Sequence, residues 1–214
     1  MQSPRPVIVW SALALIAGTA IIVAATSPLL AWRGPVYVLA GLAGVIAMVL
    51  VLIQPLLAGG YLPGLPARRG RQVHAVVGMG LLTAVVIHVA GLWITSPPDV
   101  VDALLFVSPT PFSAWGVVAM WALFAAAVCA ALYRRRRIGP RVWRLAHTAL
   151  VSVVVLGSIV HALLIEGTMG QASKIVLCLA VAAALAKVVF DLRTWRLVVR
   201  RGPSPGTSER TRSS

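Results

Sequence analysis

Acidic side chains are scarce: the 214 residues contain five Asp and Glu against nineteen Lys and Arg. Charged residues make up only 11% of the chain and hydrophobic ones 59%. A soluble globule needs a far more polar surface, so the expected solvent is lipid. Only two cysteines occur, Cys129 and Cys178, both inside apolar stretches, which excludes a disulfide framework and leaves them as small core residues. The apolar stretches hold almost no carboxylate, which argues against a proton-coupled transporter, whose relays use Asp or Glu. No G-x-G-x-x-G segment of the dinucleotide-binding kind is found. Histidine is scarce too, and its four positions carry the functional argument.

What is abundant is apolar sequence in long runs. A bilayer-spanning helix needs roughly 20 mostly apolar residues, and six stretches qualify: Val7–Thr26, Val36–Ala58, Val73–Thr95, Ser113–Tyr133, Ala146–Ile165 and Ile175–Phe190. The last is the shortest and needs its flanks to complete a span. The first follows Arg5 and exceeds the usual apolar core of a signal peptide, so it is expected to persist as a helix.

The formal charge of +14 invites a nucleic-acid reading, but the placement of the charges opposes it. Arg5, then Arg68, Arg69 and Arg71, then Arg134 to Arg137 with Arg141 and Arg144, and the tail from Arg193 all fall on one side of a six-span path. The loops on the other side hold Arg33 and Lys174 with Asp99, Asp102 and Glu166. The positive-inside rule then predicts an integral membrane protein, of bacterial plasma-membrane type, with both termini cytoplasmic and the lipid bilayer as its partner. No nucleic-acid partner is expected. Residues 1–201 are expected to form one membrane domain, and 202–214, polar and rich in Ser and Pro, a disordered cytoplasmic tail.

Between the spans, residues 59 to 70 read as a Gly- and Pro-rich loop, and Asp99 to Val107 as a short helix lying on the outer surface. Gln54-Pro55 marks a kink or exit from the second span. The small residues Gly41 to Gly44 allow close helix approach.

The histidines obey one template. Arg71, His74 and His88 form R-x2-H-x13-H, and Arg144, His147 and His161 repeat it. Fourteen residues fall about 40° short of four full turns and advance about 21 Å, so each pair shares one helix face at two depths. The third and fifth spans run in the same direction, which sets His74 level with His147 and His88 level with His161. Two imidazoles at equal depth on facing helices can supply both axial ligands of a haem iron. Thirteen intervening residues hold the two histidines of one helix too far apart to share one small metal ion. Gly78, one turn beyond His74, is expected to leave open space for a macrocycle; Gly157 and Ser158 stand one turn before His161. Arg71 and Arg144 are candidate partners for haem propionates, although topology alone also explains them.

These residues resemble the ferric reductase-like transmembrane domain family over about residues 36 to 190. The histidine spacing carries the resemblance, helped by P-R-V-W-R-L-A-H from Pro140 and H-A-L-L-I-E-G from His161. The resemblance implies two b-type haems, with His74 and His147 on the inner iron and His88 and His161 on the outer. Full-length ferric reductases and NADPH oxidases add a flavin and NAD(P)H region, for which this sequence shows no signal. It is therefore similar to the family's stand-alone haem subunits.

The expected architecture is an all-α integral membrane protein: a six-transmembrane-helix bundle with two stacked haems between the third and fifth spans. The expected function is that of a di-haem b-type cytochrome, an oxidoreductase component without its own flavin/NAD(P)H domain. It would carry electrons from a separate cytoplasmic flavoprotein or a quinol to an extracytoplasmic acceptor. A non-redox transporter or assembly protein, with histidines used for packing or protons, is one alternative. A quinol-oxidising cytochrome of the b561 type is another.

Overall fold

The computed structural model describes residues 5–191, all of them in helices or the segments joining them. The order is α1 (Arg5–Ala25), α2 (Pro35–Ala58), α3 (Ala67–Thr95), α4 (Pro97–Leu104), α5 (Pro111–Arg134), α6 (Pro140–Leu164) and α7 (Gln171–Asp191), with a single 3₁₀ turn at Pro28–Leu30. Six of the seven α-helices among the described residues, all but α4, are long and apolar enough to cross a membrane. No strand occurs among the described residues. The tail from Arg193 and the expected disorder of 202–214 lie outside the described residues.

Helix starts follow from proline. Pro35, Pro97, Pro111 and Pro140 each occupy the first helical turn, where a missing N–H costs nothing and the fixed φ favours the helix. Two spans begin six residues before their apolar runs: α3 at Ala67 rather than Val73, and α6 at Pro140 rather than Ala146. Arginine is a good helix former, so both helices extend through their basic flanks. Arg71 and Arg144 consequently share a helix with the histidines they precede. Pro55 lies inside α2, which continues to Ala58.

The bundle is built from two intimate helix hairpins, α2 with α3 and α5 with α6. Helix α7 packs on α2 and α6, and α1 covers α2 and α7. Apolar surface drives no association between helices in lipid, so close contact depends on small residues. In the first hairpin, a Cβ on Gly91 would sit 2.7 Å from the Ala40 Cβ. In the second, a Cβ on Gly157 would sit 2.9 Å from the Trp115 carbonyl oxygen. Many large apolar residues face outwards, Leu15, Val76, Leu179 and Phe190 among them, as lipid contact requires. Helices α3 and α6 are not a closely packed pair, and the gap between them is bridged by histidine rings.

One charge is misplaced by the sequence reading. Lys174 belongs to the first turn of α7 rather than to a loop, and only 5% of it is exposed. Because α7 starts at Gln171, four residues before its apolar run, the lysine is carried into the bundle. The short surface helix occurs as α4, shifted to Pro97–Leu104, with Val100 buried beneath it.

Candidate functional site: two histidine pairs across facing helices

The four histidines meet in the combination that parallel helices require. His74 on α3 faces His147 on α6, with ring centroids 6.5 Å apart and planes inclined by 69°. His88 faces His161, with centroids 6.4 Å apart and planes inclined by 82°. The pair at the arginine-rich end is His74 with His147, and the second pair lies towards the other end of the bundle.

The second pair is held by a repeated device. His88 Nδ1 contacts the Ala40 carbonyl oxygen on α2 at 2.8 Å, and His161 Nδ1 contacts that of Phe112 on α5 at 2.8 Å. A carbonyl can only accept, so both Nδ1 atoms carry the proton and both Nε2 lone pairs are left for a ligand. One turn beyond each acceptor stands a glycine. A Cβ on Gly44 would approach His88 Nδ1 to 2.9 Å, and one on Gly116 would approach His161 Nδ1 to 2.7 Å. These two glycines therefore make the room that the rings occupy. Gly44 is marked in the sequence only as the end of the small-residue run Gly41 to Gly44, and Gly116 has no cue beyond the fact that Gly44 and Gly116 are displaced by 72 positions and the histidine pairs by 73.

At the arginine-rich end, His74 Nδ1 lies 3.2 Å from the Gln54 carbonyl oxygen, and the Gln54 side-chain amide donates to the His74 carbonyl at 3.3 Å. Gly78 is packed against this amide, its Cβ position 3.0 Å from Gln54 Nε2. The space expected beside Gly78 thus belongs to helix packing. Trp143 stacks on His147 at 5.7 Å and 18°, and Tyr133 stacks on Trp143 at 4.4 Å and 16°. Among the described residues, two buried side-chain polar atoms, Gln54 Oε1 and Trp143 Nε1, have no hydrogen-bond partner, and His147 Nδ1 is turned towards the Ala126 backbone of α5 without a hydrogen bond of standard geometry. All three belong to residues surrounding the His74–His147 pair. Arg71 and Arg144 are exposed at that end, three residues before their histidines. No carboxylate lies within ion-pair distance of either, the ion pair among the described residues being Lys187–Asp191.

A cavity of about 660 Å³ opens between the hairpins and reaches His88, His161, Gly44 and Gly116. That is within the usual size range for a small-molecule or cofactor site, ~300–1,000 Å³. The His74–His147 pair lies outside it. No cluster of three or more His, Cys, Asp or Glu side chains occurs among the described residues, so the arrangement offers metal ligands two at a time. Cys129 and Cys178 are buried and unpaired.

Comparison with known proteins agrees with the topology. The family model for the ferric reductase like transmembrane component matches residues 40–158, a segment running from α2 into α6 that contains His74, His88 and His147. No curated protein and no solved structure matches the chain. The matched segment covers more than half of the sequence and reaches into both hairpins that carry the histidines, so the chain belongs to the ferric reductase-like transmembrane family and is an integral membrane protein.

Proposed function

We propose that this protein is a di-haem b-type cytochrome that carries electrons across the bilayer. The observation that carries the reading is the centroid separation of the two cross-helix pairs. A metal–imidazole bond of about 2 Å on each side, with about 1 Å from each nitrogen to its ring centre, sets two imidazoles on one metal about 6 Å apart. The separations of 6.5 and 6.4 Å fit that requirement.

The remaining features support the same assignment. Carbonyls on α2 and α5 orient the ligand rings and raise their basicity, as outer partners of metal-bound histidines do. Glycines 44 and 116 clear the ring positions, and the cavity at the second pair supplies apolar walls. The unpartnered Gln54 and Trp143 atoms at the other pair fit a site that is completed by a polar ligand. When bound, haem supplies a one-electron iron couple at each depth, and the protein fixes axial ligation, burial and spacing. His74 with His147, and His88 with His161, would hold the two groups about 21 Å apart along the helices, as two stations across a layer that is about 30 Å thick.

The arginine-rich end is assigned to the cytoplasm by the positive-inside rule, with both termini on that side. Electrons would enter there from a separate reduced flavoprotein or from a quinol, and leave at the far end to an extracytoplasmic acceptor. Arg71 and Arg144 stand where they could pair with propionates of the inner haem.

The reading is tested on protein purified after haem-replete expression. A reduced-minus-oxidised spectrum of b type with two haems per chain is expected. A folded, colourless preparation would favour a non-redox role for the histidines and end the proposal.

A further inference from the structure

Lys174 is the one charged side chain among the described residues that is buried. Its ammonium donates to the Ile165 carbonyl oxygen at 2.5 Å, at the end of α6 and four residues beyond His161. An ammonium has three donors, and no acceptor among the described residues takes the other two. No carboxylate lies within ion-pair distance; the acidic residues nearest in sequence, Glu166 and Asp191, are exposed. Capping the end of α6 accounts for one hydrogen bond. It does not account for placing a full positive charge in the interior of a membrane protein, where such charges normally find a counter-charge.

The missing anion is indicated by what the lysine shares. Lys174 lines the same cavity as His88 and His161, with Arg33 at the same end of the bundle. We propose that Lys174 is the anion-binding residue of this cavity, pairing with a carboxylate of the group ligated by His88 and His161. This rests on the di-haem reading, in which that carboxylate is a propionate of the outer haem. The lysine is then a positioning residue that also sets the outer potential. Reduction adds one negative charge at the iron, so a nearby ammonium favours the reduced form, and removing it must lower the midpoint of that haem alone.

The experiment is a spectroelectrochemical titration of purified full-length holoprotein, wild type beside Lys174→Met, Lys174→Gln and Lys174→Arg. Gln keeps a donor for Ile165 without the charge, and it carries the test if Met prevents insertion. We expect one midpoint to fall in the neutral variants by about tenfold in the reduction equilibrium, ~59 mV for a one-electron couple, with the other unchanged and Arg restoring the wild-type value. In wild-type protein reconstituted with haem dimethyl ester the propionate charges are gone while the ammonium stays, so the midpoints should rise. Retention of the outer haem, which with native haem should be weaker in Lys174→Gln than in wild type, should no longer differ between the two. A difference in outer-haem retention between wild type and Lys174→Gln that persists with the ester would assign the lysine to a separate anion and overturn the propionate pairing. Two bound haems with unchanged midpoints would reduce Lys174 to a helix cap and overturn the proposal while leaving the di-haem reading intact. Equal movement of both midpoints would overturn it as well, as a global effect. Wild-type protein without haem would overturn the reading beneath it.

Discussion

Gly116→Ala tests the geometry of the second pair more sharply than removing a histidine, because it leaves every proposed ligand in place. The added methyl would lie 2.7 Å from His161 Nδ1 and 2.9 Å from its Cε1. Restoring van der Waals distance requires the ring to retreat by roughly 0.5–1 Å. That retreat stretches the 2.8 Å contact to the Phe112 carbonyl towards the limit of a hydrogen bond. Overpacking of this kind costs about 1–3 kcal/mol of stability. Losing the orienting contact of a metal-bound histidine weakens the metal site by about 10–100-fold. Haem affinity at the second pair should fall by that factor, with His74–His147 unaffected. The assay is haem per polypeptide in protein expressed under limiting haem, with a redox titration to identify which component is lost. Gly44→Ala should behave alike, since its methyl meets His88 Nδ1 at 2.9 Å. Gly18→Ala on α1, with nothing within 4 Å of the new atom, is the control. Two haems at native potentials in Gly116→Ala would refute the idea that glycine clears the ring position.

Two further outcomes follow from contacts elsewhere. Gly91→Ala places a methyl 2.7 Å from the Ala40 Cβ and must push α2 from α3, at about 1–3 kcal/mol, read as a lower melting temperature in detergent; an unchanged melting curve would contradict it. Between the spans, Tyr61 donates a hydrogen bond to Asp191 under the Lys187 ammonium, and burial first, then that carboxylate, push its hydroxyl from 10.0 up to about 12. The folded state thus favours the protonated phenol, so its contribution is full below pH 10 and is lost as pH rises to about 12. The stability difference between wild type and Tyr61→Phe, measured by thermal unfolding across that window, should shrink with rising pH; a constant difference would count against the contact.

The histidine pairing was legible in the sequence because it depends only on helical periodicity and on parity. Fourteen residues keep one face, and two helices separated by one span run in parallel. The six spans were legible for a similar reason, since length and apolar content are local properties. Contacts between helices were not. Gly78 lies on nearly the face of His74, which suggests open space there, yet the Gln54 side chain of α2 fills that position. Gly44 and Gly116, which do make room, lie on other helices than the rings they serve, so no spacing within one helix reveals them. A charge next to an apolar run usually marks its end, which puts Lys174 in a loop; the helix begins one turn earlier and draws it inside. Trp143, which stacks on His147 from one turn away, is marked in the sequence only as part of P-R-V-W-R-L-A-H, which gives it no role of its own.

The central claim is that ligands pair across helices and not along them. Haem content and redox components measured in the single variants His74→Ala, His147→Ala, His88→Ala and His161→Ala test it directly. The account predicts two matching couples: His74→Ala and His147→Ala each lose one and the same component, and His88→Ala and His161→Ala each lose the other. Equal haem content in all four variants, or a match between His74→Ala and His88→Ala, would contradict it.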